Sequence, residues 1–279
     1  MVNPPTNNPF DLTGRTALVT GGAGLLGVKH AEALMKAGAK VILADVDSVR
    51  LERAASDIES RLKQRPEIET MDVTNEASVA AVSTRRNIGD ARVDILINNA
   101  ARNPAVDPTG KVANSNRLEQ LDLNSYEIDL AVGLTGAVLC AKYFGSAMAE
   151  RRDGVIVNVA SDLGVIAPDQ RLYRREGVPD NAQDVKPVSY SVVKHGLVGL
   201  TKYLATYWAD LGVRCNAISP GGVLAGQSED FLRRIHPLIP LGRMAQPDEY
   251  EGAIVFLASR ASSYMTGANL IVDGGRSVW

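Results

Sequence analysis

Residues 16–27 read TALVTGGAGLLG, an apolar run followed by a glycine-rich turn that places Gly21, Gly24 and Gly27, and the amphipathic segment KHAEALMKAGA follows. A short β-rich run bounded by glycine predicts a strand, and apolar residues returning every three or four positions predict a helix. Glycines between the two permit a tight turn, let the backbone approach a pyrophosphate, and let helix and sheet pack closely while the helix N-terminus faces the phosphates. Many tight turns contain three glycines, so the cluster alone is weak. Its place directly after the first strand gives it weight. The turn formed by Gly21, Gly24, Leu25, Leu26 and Gly27 is the expected phosphate cradle.

The same alternation continues along the chain. Further strand-like runs are KVILAD (40–45), IETMD (68–72), VDILIN (93–98), GVIVNVA (154–160), VRCNAIS (213–219) and NLIVD (269–273), with helical stretches between them. Continuously apolar runs read as strands buried on both faces, and intervening helices read as crossovers. The expected fold is α/β, a doubly wound parallel sheet of seven strands in a single domain. Two polar stretches, 102–117 and 167–187, break the rhythm just after strands. Ligands of open parallel sheets bind beyond the strands' carboxyl ends, so these loops belong on the substrate side.

Composition narrows the function classes. The chain has 279 residues, 45% of them hydrophobic, and a net charge of −2 with both signs interspersed. That balance gives no reason to expect nucleic acid or an anionic membrane as partner. The N-terminal MVNPPTNNPF lacks the basic start and apolar run of a secretory signal, and no window approaches the ~18 apolar residues of a membrane span, so a cytoplasmic location is expected. Cys140 and Cys215 lie in apolar elements without metal-ligand spacing and read as small core hydrophobes. His30, His195 and His236 likewise have no partners at metal spacing, and no metal is expected. The aromatics of LATYWADLG (204–212) read as packing or an oligomer contact.

Asp45 ends the second strand, 24 residues after Gly21. A carboxylate there accepts hydrogen bonds from both ribose hydroxyls of an adenosine and repels a 2′-phosphate, which favours NAD over NADP. Asp72, with Val73 beside it, ends the third run within reach of an adenine amino group. Asn99 and Ala100 end the fourth, against the cofactor. Farther on, YSVVK (190–194) sets Tyr190 and Lys194 one helical turn apart on one face. A nearby cation favours a phenolate, which predicts a lowered pKa for Tyr190 and a role as general acid or base. Ser161, at the end of the fifth run, is placed to hold the substrate oxygen by a hydrogen bond.

In that order, the glycine turn, NNAA (98–101), NVAS (158–161), YSVVK (190–194), NAISPGG (216–222), GRMAQPDEY (242–250) and TGANLIVDGG (266–275) resemble the short-chain dehydrogenases/reductases, mostly of the classical type. The resemblance spans residues 11 to 275 and implies a Rossmann-type fold, a nicotinamide cofactor and a Ser161–Tyr190–Lys194 active site. It further implies that Lys194 and Tyr190 touch the nicotinamide ribose, that Pro220, Gly221 and Val223 flank the nicotinamide, and that the protein is a homo-oligomer, dimer or tetramer. A narrower resemblance, carried by ASDLGVIAPDQRLYR (160–174), is to oxidoreductases of flagellin-modification and nonulosonic-acid sugar pathways.

Departures from the family pattern carry information too. Gly24 comes early and Leu25 stands at a usual glycine position; Ala101 replaces a glycine; Ala225 replaces a threonine, leaving carboxamide binding to the backbone of Val223. Gly133 stands where the family usually has a catalytic asparagine that anchors a proton-relaying water. Ser161 and Tyr190 lie 29 residues apart, longer than the family's usual spacing, so 167–187 reads as an insertion over the active site. Its Arg171, Arg174, Arg175 and Lys186 are candidates for reading a polar, many-hydroxylated substrate, phosphorylated or nucleotide-linked forms included, since guanidinium forks suit carboxylate and phosphate. A solvated loop or subunit contact is the competing reading. The expected function is an NAD-dependent dehydrogenase acting on a carbohydrate-derived secondary alcohol. The alternatives are a 3-oxoacyl-thioester reductase and a catalytically weak NAD-binding sensor or subunit.

Overall fold

The computed structural model describes residues 8–86, 92–112 and 117–279; within the first polar loop, residues 113–116 lie outside the described residues. Seven strands form one parallel sheet: β1 (Thr16–Thr20), β2 (Lys40–Asp45), β3 (Glu67–Thr70), β4 (Ile95–Asn98), β5 (Gly154–Val159), β6 (Val213–Pro220) and β7 (Asn269–Val272). Their order is β3-β2-β1-β4-β5-β6-β7. The chain winds outward from β1 to β3, then returns to pair β4 with the other edge of β1. This reversal opens a crevice beyond the carboxyl ends of β1 and β4, where open α/β sheets bind ligands. The sheet is therefore of Rossmann type.

Both layers have sequence causes. On one face, α1 (Leu25–Lys36), α2 (Ser48–Leu62) and a C-terminal helix, Glu251–Ala258, pack Leu34, Leu51, Ile58, Ile254 and Leu257 onto Val19, Leu43 and Ile97. On the other face Leu18, Leu96 and Ile156 meet Cys140, Phe144, Met148 and Trp208. Adjacent strand residues alternate between these two clusters, as a sheet covered on both sides requires. The edge strands differ from expectation. β3 is two residues shorter at its end than the apolar run suggested, and β3 and β7 are only partly buried, because an edge strand has one neighbour rather than two.

One helix corrects the reading of membrane segments. Leu123–Arg151 is 29 residues long and apolar enough to cross a membrane by length and composition. Here Cys140, Ala141, Phe144 and Met148 bury it against the sheet, so it is a core helix. Both cysteines are buried and unpaired.

His30, on α1, is fully buried, and among the described residues neither ring nitrogen has a hydrogen-bond partner. Burial alone lowers its pKa from 6.5 to about 3. The unfolded chain thus binds a proton below pH ~6.5 that the folded chain does not, and stability falls with pH by up to about 1.4 kcal/mol per unit. Chemical denaturation at pH 6 and pH 5 should show a shallower loss for His30→Leu. Equal slopes for the two chains would mean that His30 is not held neutral.

Candidate active site

The glycine turn is shaped by close backbone approach. Gly21 has φ +60°, and a Cβ there would stand 2.9 Å from Ala100 Cα; a Cβ on Gly27 would stand 2.3 Å from the Gly21 carbonyl oxygen. Gly24 caps α1, and Leu25 and Leu26 open it. Behind the turn, the Asn99 side-chain amide donates to the carbonyls of Thr20 and Gly21 at 3.0 and 3.1 Å, while Thr20 Oγ1 accepts from the backbone of Asn99 and Ala100. Asn99 thereby fixes the turn, and it also lines the cleft that opens from it. Gly27→Ala should weaken cofactor binding at least tenfold, because the added methyl must displace the turn; a dissociation constant within twofold of the parent would show that the turn tolerates it.

A cleft of about 790 Å³ runs from this turn along the carboxyl edge of the sheet. Its lining includes Gly21, Asp45, Asp72, Val73, Asn99, Ala100, Ser161, Tyr190, Lys194, Pro220, Gly221 and Val223, so one cleft collects residues from six strand ends. Asp45 accepts hydrogen bonds from Ala23 N and Asp47 N, both at 3.3 Å. Next to it Arg50 donates to the Ala23 carbonyl and also lines the cleft, a residue the sequence reading did not single out. Asp72 lies beyond the end of β3 and accepts from Thr74 N and Oγ1. On the opposite side Gln227 ties the loop that holds Val223 and Ala225, donating to the Val223 carbonyl and accepting from Ala225 N.

Ser161, Tyr190 and Lys194 come together at the inner end. Ser161 caps the short turn Asp162–Gly164, accepting from Leu163 N at 3.2 Å and donating to Asp162 Oδ1 at 2.8 Å. Tyr190 is on the helix Val188–Tyr207, its phenol close enough to the Ser161 hydroxyl to be influenced by it. That helix is fixed to the sheet by a buried amide chain, Asn98 to Asn158 at 2.9 Å and Asn158 to Thr201 at 2.8 Å.

The predicted lowering of the Tyr190 pKa is not what this environment produces. Burial pushes the phenol up to about 12; the Ser161 hydroxyl lowers it and Asp162 raises it further. The Lys194 ammonium is 5.7 Å from the ring centroid and donates to the Val159 carbonyl at 2.8 Å, and burial lowers its own pKa to about 8. Desolvation outweighs the helical pairing of the two side chains.

The missing asparagine is explained by packing. Gly133 lies in a π-helical turn, Ala131–Thr135, and a Cβ on it would sit 2.6 Å from Val193 Cγ1, so the side chain of Val193 fills the space. Close by, a cavity of about 10 Å³ is bounded by Lys194, Tyr190, Ser189 and Asp129. Asp129 accepts from Ser189 Oγ at 2.6 Å and from Arg102 at 2.9 Å.

The two polar loops form a cap. Val106, Val112, Leu172 and Tyr173 pack with Phe231, Ile235, Ile239 and Met244 into a separate small core. Of the four cations expected to face the substrate, Arg171 is 81% exposed and paired with Asp169, and Arg175 is paired with Asp184. Arg174 lines a second cavity outside the main cleft. Only Lys186 enters the main cleft, its ammonium 4.1 Å from the Tyr190 ring centroid and 3.1 Å from the Pro104 carbonyl. Burial lowers its pKa to about 7. Sequence reading also missed Arg276, which reaches the same cleft and pairs with Asp162 at 2.7 Å, both side chains under 10% exposed. The acid immediately after Ser161 was the available signal. His195, by contrast, turns away and contacts the Ser191 carbonyl.

A phosphate-shaped turn at the switch point of a parallel sheet, opening into a cleft that holds a buried phenol, defines an NAD(P)-dependent oxidoreductase. Residues 15–173 match the family profile described as short chain dehydrogenase, and residues 177–277 match the one described as enoyl-(acyl carrier protein) reductase. The chain belongs to the short-chain dehydrogenase/reductase family. It is 34% identical to D-threitol dehydrogenase of Mycolicibacterium smegmatis, with 96% of this chain and 95% of that protein covered. It is 33% identical to galactitol 2-dehydrogenase of Rhizobium johnstonii, with 97% and 98% covered. Among solved structures, a gluconate 5-dehydrogenase from Burkholderia cenocepacia, in complex with NADP and tartrate, matches with a TM-score of 0.81 and 26% identity over 97% of this chain and 98% of that one. The protein is a dehydrogenase that acts on CH–OH groups of polar small molecules.

Proposed function

We propose that the protein interconverts a secondary alcohol and a ketone on a carbohydrate-derived substrate, using NAD, with Tyr190 as the proton-transferring group. The observation that carries this reading is the gathering of Ser161, Tyr190 and Lys194 inside the cleft that begins at the glycine turn. The residues present suit the cofactor: Gly21 and Gly27 allow a close backbone approach in the turn that any Cβ would block, and the cleft runs on from the turn past Asp45 to Tyr190. Held between the glycine turn and Tyr190, NAD would supply the acceptor for the hydride that leaves the carbinol carbon. Ser161 then holds the substrate oxygen against the phenol, and Tyr190 takes the hydroxyl proton in oxidation or supplies it in reduction. Lys194 would hold the nicotinamide ribose, and its charge would favour the proton's departure from Tyr190 once an alcohol is in place. With no asparagine at 133, we assign the onward path of that proton to the Asp129–Ser189 pair, which lines the same small cavity as Lys194 and Tyr190.

The polyol relatives support a hydroxylated substrate, and the cap formed by residues 102–112 and 167–187 is the part we assign to its recognition. A panel of polyols, sugars, sugar acids and hydroxyacyl thioesters, followed by nicotinamide absorbance, tests this; turnover confined to thioesters would replace it with the acyl reductase reading. A second reading, a weakly catalytic NAD-binding subunit, is favoured by Gly133 alone.

Asp45 supports NAD, because its carboxylate repels a 2′-phosphate, while Arg50 beside it is the feature that would accommodate one. Asp45→Ala should shift the ratio of kcat/KM for NAD over NADP toward NADP by at least tenfold. If the parent protein uses NADP as well as NAD, Arg50 rather than Asp45 sets the choice. The homo-oligomer is part of the same reading. Tyr203 and Tyr207 stack at 5.4 Å between ring centroids, each 60% exposed, on a surface suited to a second copy. A monomer at micromolar concentration in sedimentation would remove it.

A further inference from the structure

The substrate end of the cleft is the place where charge is out of balance. Lys186 and Arg276 both line it, from a loop and from the C-terminal turn; among the described residues the carboxylates within reach of Arg276 are Asp162, which also faces Lys186, and Asp169, whose charge Arg171 offsets. Arg276 gives Nη1 to Asp162 Oδ2, and Asp162 Oδ1 is occupied by Ser161 Oγ and Leu163 N at 2.8 Å each. Asp162 is thus committed to Arg276 and to the turn that holds Ser161. Lys186 has an ammonium with three donors, and the partners seen for it are a neutral carbonyl, Pro104, and the face of the Tyr190 ring. Its charge is desolvated and lies within electrostatic reach of Arg276 and Lys194. Setting aside Lys194, whose proposed partner is the cofactor ribose, two cations against one carboxylate leave one positive charge uncompensated. Buried charges without partners are costly, so a cleft built this way is completed by an anion.

Resting on the oxidoreductase reading above, we infer that the substrate is a hydroxy acid whose carboxylate is bound by Lys186, with Arg276 behind it, while its reacting hydroxyl meets Ser161 and Tyr190. A carboxylate brings the single negative charge that is lacking, whereas a phosphate ester dianion would overshoot it. Lys186 contacts the Tyr190 ring, so the acid group sits next to the reacting carbon's end of the chain rather than outside the cap. The deciding side chain is Lys186; Arg276, tied to Asp162, is a positioning residue.

The test compares a four- to six-carbon aldonate with the polyol of the same configuration, which has CH2OH in place of the carboxylate, and with the corresponding sugar phosphate. The expected result is a kcat/KM for the aldonate at least tenfold above that for the polyol. Lys186→Met should cut the aldonate-to-polyol ratio by about 10- to 100-fold, the worth of one charged hydrogen bond, and Lys186→Arg should keep most of it. Because a ratio within one variant is read, partial misfolding cannot produce the effect. Turnover of polyols with no advantage for aldonates, a preference for the phosphate, or a ratio unmoved by Lys186→Met would overturn the inference and leave the dehydrogenase standing. No turnover of any alcohol would remove the reading on which it rests.

Discussion

Tyr190→Phe should lower kcat about a thousandfold while leaving the dissociation constant for NAD within a few-fold of the parent. The substitution removes only the hydroxyl oxygen. The ring keeps its place under the Lys186 ammonium and on the helix Val188–Tyr207. Lost with the hydroxyl is the group beside Ser161 that exchanges a proton with the substrate oxygen. Positioned acid–base catalysis typically contributes 10²- to 10⁴-fold, which sets the size of the effect. Nicotinamide absorbance gives the rate, and a cofactor titration gives the affinity. A variant that binds NAD normally and retains a tenth of the parent's kcat would show that another group moves the proton, and Tyr190 would lose its assigned role. A high-lying phenol also predicts that oxidation quickens toward alkaline pH, since the basic form is scarce at neutrality when burial holds the pKa near 12.

The second large effect concerns stability. Arg276 and Asp162 form an ion pair at 2.7 Å, with side chains 7% and 4% exposed, between positions 114 residues apart. Removing one partner of a buried pair leaves an uncompensated charge and typically costs 3–5 kcal/mol, whereas replacing both removes the charges together and costs less. Arg276→Met should therefore destabilise the fold by roughly 3 kcal/mol, and Asp162→Asn combined with it should recover part of that loss. Denaturation at one fixed protein concentration measures both, which keeps any assembly contribution constant. Because Asp162 also receives the Ser161 hydroxyl, Asp162→Asn should reduce turnover even where the protein remains folded. Additive losses in the double variant would mean that the two side chains do not act as a pair.

Much of this site could be read from the sequence because it is local. The run TALVT followed by glycines, the end of KVILAD at Asp45, and Tyr190 one turn before Lys194 are all patterns within a few residues, where strand and helix periods dictate what lies on one face. The sheet, its switch point and the gathering of Asp45, Asp72, Ser161, Tyr190 and Val223 along one edge follow from those elements and from the handedness of crossovers. Strand ends were less legible. β3 stops at Thr70, before Asp72, because pairing with β2 rather than apolar composition decides where an edge strand ends.

Tertiary structure decided the rest, and in each case through burial or contacts between distant segments. Helical spacing placed Lys194 near Tyr190, but desolvation, a property of the surrounding fold, set the direction in which the phenol shifts. Four cations in the loop 167–187 were indistinguishable by sequence; Asp169 and Asp184 pair with Arg171 and Arg175, which leaves Lys186 as the one of the four that reaches the main cleft. Arg276 meets Asp162, Arg50 comes beside Asp45, and Val193 fills the space at Gly133 only once the sheet has been assembled. Periodicity in the chain specified the elements and their order. The charges that surround the reacting hydroxyl are set by long-range packing, which no local pattern encodes, because electrostatic energies depend on which groups lose water together.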